Sequence, residues 1–322
     1  MSAAAAATAF GSRVLSPEQD VFEHNAWDHV EPDDAYLEYA EQQIRLHREH
    51  PVPPEEREQY NATPAAYWDN FYEANKDRFF KDRRWLHIEF PELFAWTDAR
   101  RSARPDGADA GATVPGSAAK PPVASDARFR IMEVGCGAGN AVFPLLADID
   151  DPRLFVHACD YSKAAVDVVK SSAAYDPRRC AASVWDLSSA ELPAGIEAGS
   201  IDIMLMIFVF SALHPSQWRQ AVDNAHRLLK PGGILLFRDY GRNDLTQLRF
   251  KKSRLLDDNL YVRGDGTRVY FFTNDELAAI FGGHFAVEQN AVDRRLLVNR
   301  KRELKMYRVW LQAKFRKSIA GP

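Results

Sequence analysis

Short apolar runs and amphipathic segments alternate along the chain from residue 128 onward. Apolar runs of strand length lie at 129–134, 154–159, 181–185, 202–208 and 233–238, and helical spacings lie at 141–147, 163–170, 215–230 and 274–281. The stretch Lys230-Pro231-Gly232-Gly233 is typical of a helix end followed by a strand. This alternation predicts an α/β fold with a mainly parallel, doubly wound sheet, which binds ligands at the carboxyl ends of its strands.

The first third of the chain follows a different pattern. Residues 33–50 have the composition of a polar helix, and Tyr67, Trp68, Phe71 and Tyr72 follow at helical spacings that place them on one face. Packing against the core is the plain interpretation and suits Phe71. Trp68 and Tyr72 carry polar groups, so they are also suited to covering a cofactor or stacking on a base.

Composition divides the chain into three parts. Residues 98–127 consist mostly of Ala, Gly, Pro, Ser, Asp and Arg, a mixture that cannot bury a core and predicts a flexible linker. The predicted organisation is therefore an N-terminal extension over 1–97, the linker over 98–127 and a catalytic domain over 128–322. The extension is expected to fold back and contribute to ligand binding.

A glycine-rich turn follows the first apolar run. Gly135, Gly137 and Gly139 alternate with other residues directly after Ile131-Met132-Glu133-Val134, and a helical segment begins at once. Glycine allows the chain to reverse tightly and lets backbone N–H groups approach a ligand. A dinucleotide fingerprint requires a small residue where Asn140 stands, so NAD fits poorly. Glu133-x-Gly135-x-Gly137-x-Gly139 instead resembles the first motif of S-adenosylmethionine (SAM) methyltransferases, although a plain strand-to-helix connection is the alternative.

Two acidic residues occupy the ends of the next predicted strands. Asp160 lies twenty-five residues after Gly135, where a carboxylate can accept both hydroxyls of a ribose. Asp186 ends the following strand, where it or the backbone of Leu187 would meet the edge of an adenine. The alternative for Asp160 is a helix cap, because Tyr161-Ser162 and a helical segment follow.

Overall composition excludes several classes of protein. The 322 residues are 46% hydrophobic and 27% charged, and no apolar run approaches the ~20 residues of a membrane span. Three scattered cysteines (Cys136, Cys159, Cys180) suggest neither a disulfide framework nor a metal site. These features favour a cytoplasmic protein. The Ala-rich, acid-poor residues 1–10 lack the arginines of a mitochondrial import signal, which leaves mitochondrial import as the less favoured location.

A net charge of −4 conceals a strong asymmetry. Residues 15–60 contain thirteen acidic and three basic side chains, whereas residues 294–317 contain ten basic side chains and one acid, Glu303. A solvated charged face and a phosphate-binding surface are equal alternatives for the basic block.

Several motifs together resemble the eukaryotic tRNA N3-methylcytidine methyltransferases, over almost the whole chain outside the linker. They are Phe80-Lys81-Asp82-Arg83-x-Trp85, Glu133-Val134-Gly135-Cys136-Gly137-x-Gly139-Asn140, Cys159-Asp160-Tyr161-Ser162, Ile207-Phe208-Val209-Phe210-Ser211-Ala212, Leu228-Leu229-Lys230-Pro231-Gly232-Gly233, Arg238-Asp239-Tyr240-Gly241, Leu248-Arg249-Phe250-Lys251 and Tyr261-Val262-Arg263-Gly264-Asp265-Gly266-Thr267-Arg268. The stretches His24-Asn25-Ala26-Trp27-Asp28 and 292–310 are more similar to the subgroup that acts on threonine and arginine tRNAs than to the serine-tRNA subgroup.

The resemblance implies a Rossmann-like SAM-dependent methyltransferase fold with a seven-stranded sheet, and a target cytidine in the tRNA anticodon loop. It also implies SAM as cofactor and, in some members, an auxiliary protein such as a tRNA synthetase. The cofactor-binding residues expected from the motifs are Trp68, Tyr72, Gly135, Gly137, Asn140, Asp160, Asp186, Leu187 and Ile207.

Methylation at cytidine N3 makes modest chemical demands. The nitrogen has an in-plane lone pair and is unprotonated at neutral pH, so positioning, water exclusion and stabilisation of the developing positive charge suffice. Asp239 is the candidate carboxylate near the base, with a structural ion pair as its alternative, and Arg83 is a second candidate in the reaction centre. Because N3 lies on the Watson–Crick edge, the target must be unpaired. The candidate RNA-binding residues are Lys81, Arg249, Lys251, Lys252, Arg263, Arg268, Arg294 and Arg295.

Three alternatives remain open from sequence. A SAM methyltransferase for a protein or small molecule suits the acidic pI of about 6.2 but not the local basic block. A noncatalytic partner subunit conflicts with the intact Gly135, Gly137, Asp160 and Asp186. A dehydrogenase is least favoured because of Asn140.

Overall fold

A computed structural model describes residues 11, 13–101 and 128–319. The N-terminal part contains one short strand and five helices. They are β1 (Ala26–Asp28), α1 (Asp34–Glu49), α2 (Pro54–Ala62), α3 (Pro64–Asn75), α4 (Leu86–Glu89) and α5 (Glu92–Arg101). The polar helix predicted over 33–50 is α1, and the carboxylate of Asp33 caps it by accepting the backbone N–H of Tyr36.

Residues 129–240 alternate strands and helices. The elements are β2 (Phe129–Val134), α6 (Val142–Asp148), β3 (Leu154–Asp160), α7 (Lys163–Ser171), β4 (Cys180–Val184), β5 (Ile201–Ile207), two 3₁₀ turns (Phe210–Ala212 and Pro215–Gln217), α8 (Trp218–Leu228) and β6 (Leu229–Tyr240). All five predicted strands are present, with ends that differ from the prediction. The largest difference is at residues 229–232, where α8 has already ended and the Pro-Gly-Gly stretch lies inside β6.

The C-terminal part adds a small sheet and a long hairpin. Its elements are α9 (Leu245–Leu248), β7 (Leu255–Asp257), β8 (Leu260–Val262), β9 (Arg268–Tyr270), α10 (Asn274–Phe281), β10 (Ala286–Asn299) and β11 (Leu304–Arg316). Strands β7, β8 and β9 form a separate antiparallel sheet. The basic block at 294–317 therefore belongs to two paired strands and the turn between them.

The main sheet has eight strands in the order β1-β10-β11-β6-β5-β2-β3-β4. Strands β2 to β6 are mutually parallel, and β11 is antiparallel to both β6 and β10. The predicted mainly parallel α/β sheet is confirmed. Its eighth strand, β1, pairs with β10 and comes from the N-terminal extension, so that extension is part of the sheet and not an appended unit.

Both faces of the sheet are covered. Along β5, Ile203 and Leu205 pack into one buried cluster while Met204 and Met206 pack into another on the opposite face. Successive strand residues point to opposite faces, and each fully buried aliphatic side chain of this kind stabilises the fold by ~1.5–3 kcal/mol. The rigid double layer fixes the carboxyl ends of β2, β3 and β4, where the predicted site residues lie.

The predicted linker overlaps a helix at its start. Helix α5 continues to Arg101, so residues 98–101 are helical, whereas residues 102–127 lie outside the described part of the chain. Within the described residues, no helix combines the length and apolarity needed to cross a membrane.

Candidate active site

The glycine turn lies between β2 and α6 and has room for backbone alone. A Cβ on Gly135 would lie 2.4 Å from Cγ2 of Val209, and one on Gly137 would lie 2.3 Å from the hydroxyl of Tyr72. Both glycines have positive φ, at 69° and 52°, a region that side chains with a Cβ rarely adopt. The backbone N–H groups of Gly135 and Cys136 donate to the carbonyl of Cys159 at 2.7 and 3.1 Å, which ties the turn to β3.

Asp160 stabilises this turn from the end of β3. One carboxylate oxygen accepts the N–H of Gly137 at 2.9 Å, and the other accepts the N–H of Ser162 at 2.9 Å. Burial raises the pKa of Asp160 to about 6, although these hydrogen bonds oppose the shift. Each oxygen keeps a further lone pair, so the carboxylate can hold the turn and still accept a ligand hydroxyl.

Helix α3 places aromatic side chains over the turn. Trp68 and Tyr72 stack with ring centroids 6.0 Å apart, and Asp69 fixes the helix by accepting the hydroxyl of Ser162 at 2.7 Å and the N–H of Ala164 at 3.0 Å. The sequence analysis predicts no role for Asp69. It joins the N-terminal extension to the start of α7, and this anchor sets the position of the aromatic cover.

An open cleft lies between these elements. Six of the nine predicted cofactor residues belong to its wall, and a seventh, Gly137, belongs to the turn beside Tyr72. The wall consists of Trp68, Tyr72, Val134, Gly135, Asp160, Tyr161, Trp185, Asp186, Leu187, Phe208, Val209, Ala212 and Leu213. Asp186 accepts both the N–H and the hydroxyl of Ser188, at 2.8 and 2.7 Å.

Two predicted cofactor residues have other positions. The side chain of Ile207 is buried in the core, and the next two residues, Phe208 and Val209, form the wall instead. The side-chain amide of Asn140 donates to the carbonyl of Phe80 at 3.3 Å and to Asp82 at 3.2 Å. Asn140 therefore connects the glycine turn to the segment before Arg83, and we assign it no direct ligand contact.

Phe208 was missed by the sequence analysis as a site residue. It follows β5 with φ of +56°, a strained conformation for a bulky side chain, and its N–H donates to the carbonyl of Arg238 at 2.8 Å. The guanidinium of Arg83 lies 5.4 Å from its ring centroid, and the ring of Tyr240 lies 4.9 Å away. The spacing of residue types in the sequence does not indicate backbone strain of this kind. Phe208 does, however, lie in the stretch 207–212, one of the motifs that resemble the tRNA methyltransferases.

Arg83 and Glu133 are close enough to influence each other's charge beside the turn. Burial raises the pKa of Glu133 to about 8, while the positive charge of Arg83 opposes that shift. Glu133 Oε2 and Arg83 Nε are both buried without a hydrogen-bond partner among the described residues. Arg83 Nε can donate a hydrogen bond to a ligand carboxylate, and Glu133 Oε2 is an oxygen that a polar ligand group can meet.

Asp239 has a structural position. It is 0% exposed, accepts the N–H of Ser211 and of Tyr240 at 2.9 Å each, and is not part of the cleft wall. Burial raises the pKa of this carboxyl to about 6. It joins the end of β6 to the 3₁₀ turn after β5, and this position agrees with the structural alternative for Asp239.

The predicted RNA-binding residues separate into two groups. Lys81, Arg249, Lys251 and Lys252 are exposed and make no ion pair with any residue between 13 and 101 or 128 and 319. Arg263 is half-buried and lies 5.7 Å from the ring centroid of Tyr240.

The other predicted cations have internal partners. Arg268 is buried and donates to Asn61 at 3.0 Å, Arg294 pairs with Glu31 at 3.1 Å, and Arg295 pairs with Asp293 and Glu89 at 3.1 and 3.2 Å. We leave Arg268 and Arg295 out of the candidate RNA surface, because Arg268 is itself buried and Arg295 pairs with the buried carboxylate of Asp293. The end of the hairpin instead presents four exposed cations without an ion pair in the described chain, namely Arg300, Lys301 and Arg302 in the turn and Lys305 at the start of β11.

The three cysteines are free and buried, and the described residues contain no group of three His, Cys, Asp or Glu side chains placed to hold an ion.

Comparison with known proteins agrees with this site. Residues 132–235 match a methyltransferase domain family. The chain is 50% identical over 308 residues to the tRNA N(3)-methylcytidine methyltransferase of Schizosaccharomyces pombe, covering 96% of this chain and 92% of that protein. It is 50% identical to the tRNA(Thr) (cytosine(32)-N(3))-methyltransferase of Saccharomyces cerevisiae, covering 95% of this chain and 45% of that protein. It is 47% identical to the tRNA N(3)-cytidine methyltransferase METTL2 of Danio rerio, covering 97% of this chain and 90% of that protein. The chain therefore belongs to the tRNA N3-cytidine methyltransferase family.

Proposed function

We propose that this protein transfers a methyl group from SAM to N3 of an unpaired cytidine in tRNA. The observation that carries the proposal is the joint occurrence of the glycine turn, its acidic partners and the aromatic cover in one cleft, in a chain with close relatives named for this reaction. The relative from Saccharomyces cerevisiae is named for threonine tRNA and cytosine 32. We extend that preference to this chain as the finer part of the proposal.

The cleft fits SAM by the chemistry of its donors and acceptors. Asp160 would accept the ribose hydroxyls, and Asp186 with Leu187 would face the adenine, between the apolar surfaces of Trp185 and Leu213. Arg83 and Glu133 lie beside the turn and outside the cleft wall, and each keeps an unsatisfied polar atom that would meet the carboxylate and amino groups of SAM. When bound, SAM supplies an electrophilic methyl group on a sulfonium.

The protein's own part in the reaction is to position the base and exclude water. Cytidine N3 is unprotonated at neutral pH, so no general base is required. Phe208, held by its bond to the Arg238 carbonyl, offers a ring face at the mouth of the cleft, with Tyr240 and Arg83 beside it. Such positioning accounts for ~7–11 kcal/mol of barrier lowering in well-oriented systems.

The proposed RNA surface comprises exposed cations from three segments: Lys81 before α4, Arg249 to Lys252 after α9, and the hairpin end at 300–305. These side chains are free to neutralise phosphates. Binding that depends on phosphate contacts weakens steeply as salt rises, so tRNA affinity is expected to fall between 50 and 200 mM salt.

The test is to incubate the purified protein with SAM and with total tRNA lacking the modification, digest the RNA and quantify 3-methylcytidine by mass spectrometry. Asp186→Ala should abolish SAM binding measured by calorimetry and remove the product. Asp160→Ala is less diagnostic, because loss of its bond to Gly137 also loosens the turn. Val287→Ala, at an exposed position on β10, serves as the control that keeps activity.

The outcomes separate the alternatives. No product from wild-type protein that binds SAM would refute autonomous tRNA methylation, and addition of a cell extract would then test our further proposal that an auxiliary protein delivers the tRNA. Failure to bind SAM would refute the cofactor assignment itself.

A further inference from the structure

Two adjacent phenylalanines lie exposed behind the aromatic cover of the cleft. Phe79 is 59% exposed and Phe80 is 36% exposed, in the segment that joins α3 to α4. Single exposed apolar residues are common, but two neighbouring aromatic rings behind the cover of a ligand cleft mark a surface that binds something. We call residues 76–84 the aromatic loop.

Contacts with other aromatic side chains hold the two phenylalanine rings in place. Phe79 packs edge-on against Phe80 and against the buried Phe71, with centroids 4.9 Å apart in both cases. Phe71 in turn packs edge-on against Trp68 and Tyr72, at 5.4 and 5.2 Å. Phe71 therefore separates the exposed rings from Trp68 and Tyr72 in the wall of the cleft. Edge-on aromatic contacts connect the exposed rings to that wall without interruption.

Charge identifies the chemistry of the occupant. The aromatic loop contains Lys76, Arg78, Lys81, Arg83 and Arg84 against only Asp77 and Asp82. All of these cations except Arg83 are exposed, and none of the exposed four forms an ion pair with a described residue. Exposed aromatic rings interleaved with cations are the surface that single-stranded nucleic acid recognises, because bases stack on the rings while phosphates meet the cations.

The loop is also fastened to the cofactor turn. Asn140 donates to the Phe80 carbonyl and to Asp82, and its own carbonyl accepts the N–H of Arg83 at 2.8 Å. A base stacked on the loop is thus held at a fixed position relative to the glycine turn. This geometry suits a nucleotide next to the one that enters the cleft.

We propose that Phe79 and Phe80 form a stacking platform for an unpaired nucleobase adjacent to the methylated cytidine. The proposal rests on the proposed function, since it assumes that the substrate is a single-stranded loop of RNA. The platform positions the substrate and takes no part in methyl transfer. It is tolerant of base identity, because every base presents a flat face to an aromatic ring.

The test compares Phe79→Ala with Phe79→Trp and with the control Val287→Ala. Binding is measured by fluorescence anisotropy with a labelled anticodon stem-loop and, separately, with a blunt RNA duplex of equal length. Phe79→Ala is expected to weaken stem-loop binding by about 5- to 150-fold, the range for loss of one stacked base. Phe79→Trp should restore binding, whereas duplex binding and SAM affinity should not change in any variant.

Fluorescence of a base analogue provides a second measurement, which tests whether the neighbouring base lies against Phe79. With 2-aminopurine next to the target cytidine, wild-type protein should quench its fluorescence on binding, and Phe79→Ala should not. In methylation assays the same variant should raise KM for tRNA more than it lowers kcat.

The proposal is overturned if Phe79→Ala binds the stem-loop like wild type, which would leave the loop as a protein-docking surface, or if stem-loop and duplex binding fall equally. Because these binding measurements require no turnover, they are independent of whether 3-methylcytidine forms. A protein that methylates tRNA but shows no effect of Phe79→Ala would retain the proposed function and lose only the platform.

Discussion

Glu133 lowers the stability of the fold above mildly acidic pH, and its removal should reverse that effect. The carboxyl is 2% exposed at the end of β2, where burial raises its pKa from 4.5 to about 8 against the opposing charge of Arg83. The folded state therefore keeps a proton that the unfolded state releases above about pH 4.5. Stability that is fully present below pH 4.5 is lost as pH rises towards 8.

The size of the effect follows from the shift in pKa. Each unit corresponds to ~1.4 kcal/mol, so the free energy of unfolding should decline by about 5 kcal/mol in total across this interval. That is a large share of the stability of an ordinary domain. Glu133→Gln keeps the size and shape of the side chain but has no proton to lose, so this part of the pH dependence should vanish.

Chemical denaturation of both proteins at intervals between pH 5 and 8.5 provides the measurement. The variant should match wild type near pH 5 and become progressively more stable as pH rises. Burial also raises the pKa values of Asp160 and Asp239 to about 6. Asp239 contributes equally to both proteins and cancels in the difference, whereas the charge of Asp160 helps to raise the pKa of Glu133, so part of its titration remains in the difference. Parallel curves for the two proteins would refute the reasoning.

Three further predictions concern the site and its surroundings. Gly137→Ala should abolish SAM binding measured by calorimetry, because the new Cβ would clash with the hydroxyl of Tyr72 and because φ at this position is positive. Adding Tyr72→Phe removes only the clash, so it should restore binding in part. Full restoration would refute the argument from backbone strain. Arg295→Ala should lower the free energy of unfolding by about 3 kcal/mol, because it breaks the ion pairs with Asp293 and Glu89. Arg302→Ala should leave the free energy of unfolding unchanged and weaken tRNA binding. Equal effects of the two variants on stability would contradict the separation of structural from RNA-binding cations. Asn140→Leu should weaken stem-loop binding because the aromatic loop loses its two side-chain bonds, and an unchanged affinity would disprove that connection.

The parallel part of the fold and the centre of the site were accessible from sequence because local rules govern them. A buried strand ending in alternate glycines specifies a turn with positive φ, as found at Gly135 and Gly137. A carboxylate at the end of the next parallel strand must lie beside that turn, as Asp160 does. The contacts of Asn140 were not accessible from sequence, because its partners, Phe80 and Asp82, are about sixty residues away and no local pattern indicates them.

The hairpin at 286–316 contains the residue alternation of β-strands, but its many basic residues make that alternation hard to recognise in the sequence. In β11, Tyr307, Val309, Leu311, Ala313 and Phe315 are buried at every second position, which is the pattern of a strand. Basic residues fill several alternate positions, so the same stretch has the composition of a solvated block.

The fate of the ten basic residues in that block shows why composition alone cannot define a nucleic-acid surface. Arg294, Arg295, Arg308, Lys314 and Arg316 each have an acidic partner, and several of those partners come from the distant N-terminal extension. Part of the acidic excess at 15–60 and of the basic excess at 294–317 is thus mutual compensation, brought about when β1 pairs with β10. Lys317 donates to the carbonyls of His226 and Leu229. The cations proposed for phosphates are Arg300, Lys301, Arg302 and Lys305 at the hairpin end, which form no ion pair within the described chain. Which cation serves the fold and which serves the substrate is decided by tertiary contacts, and only the assembled sheet distinguishes them.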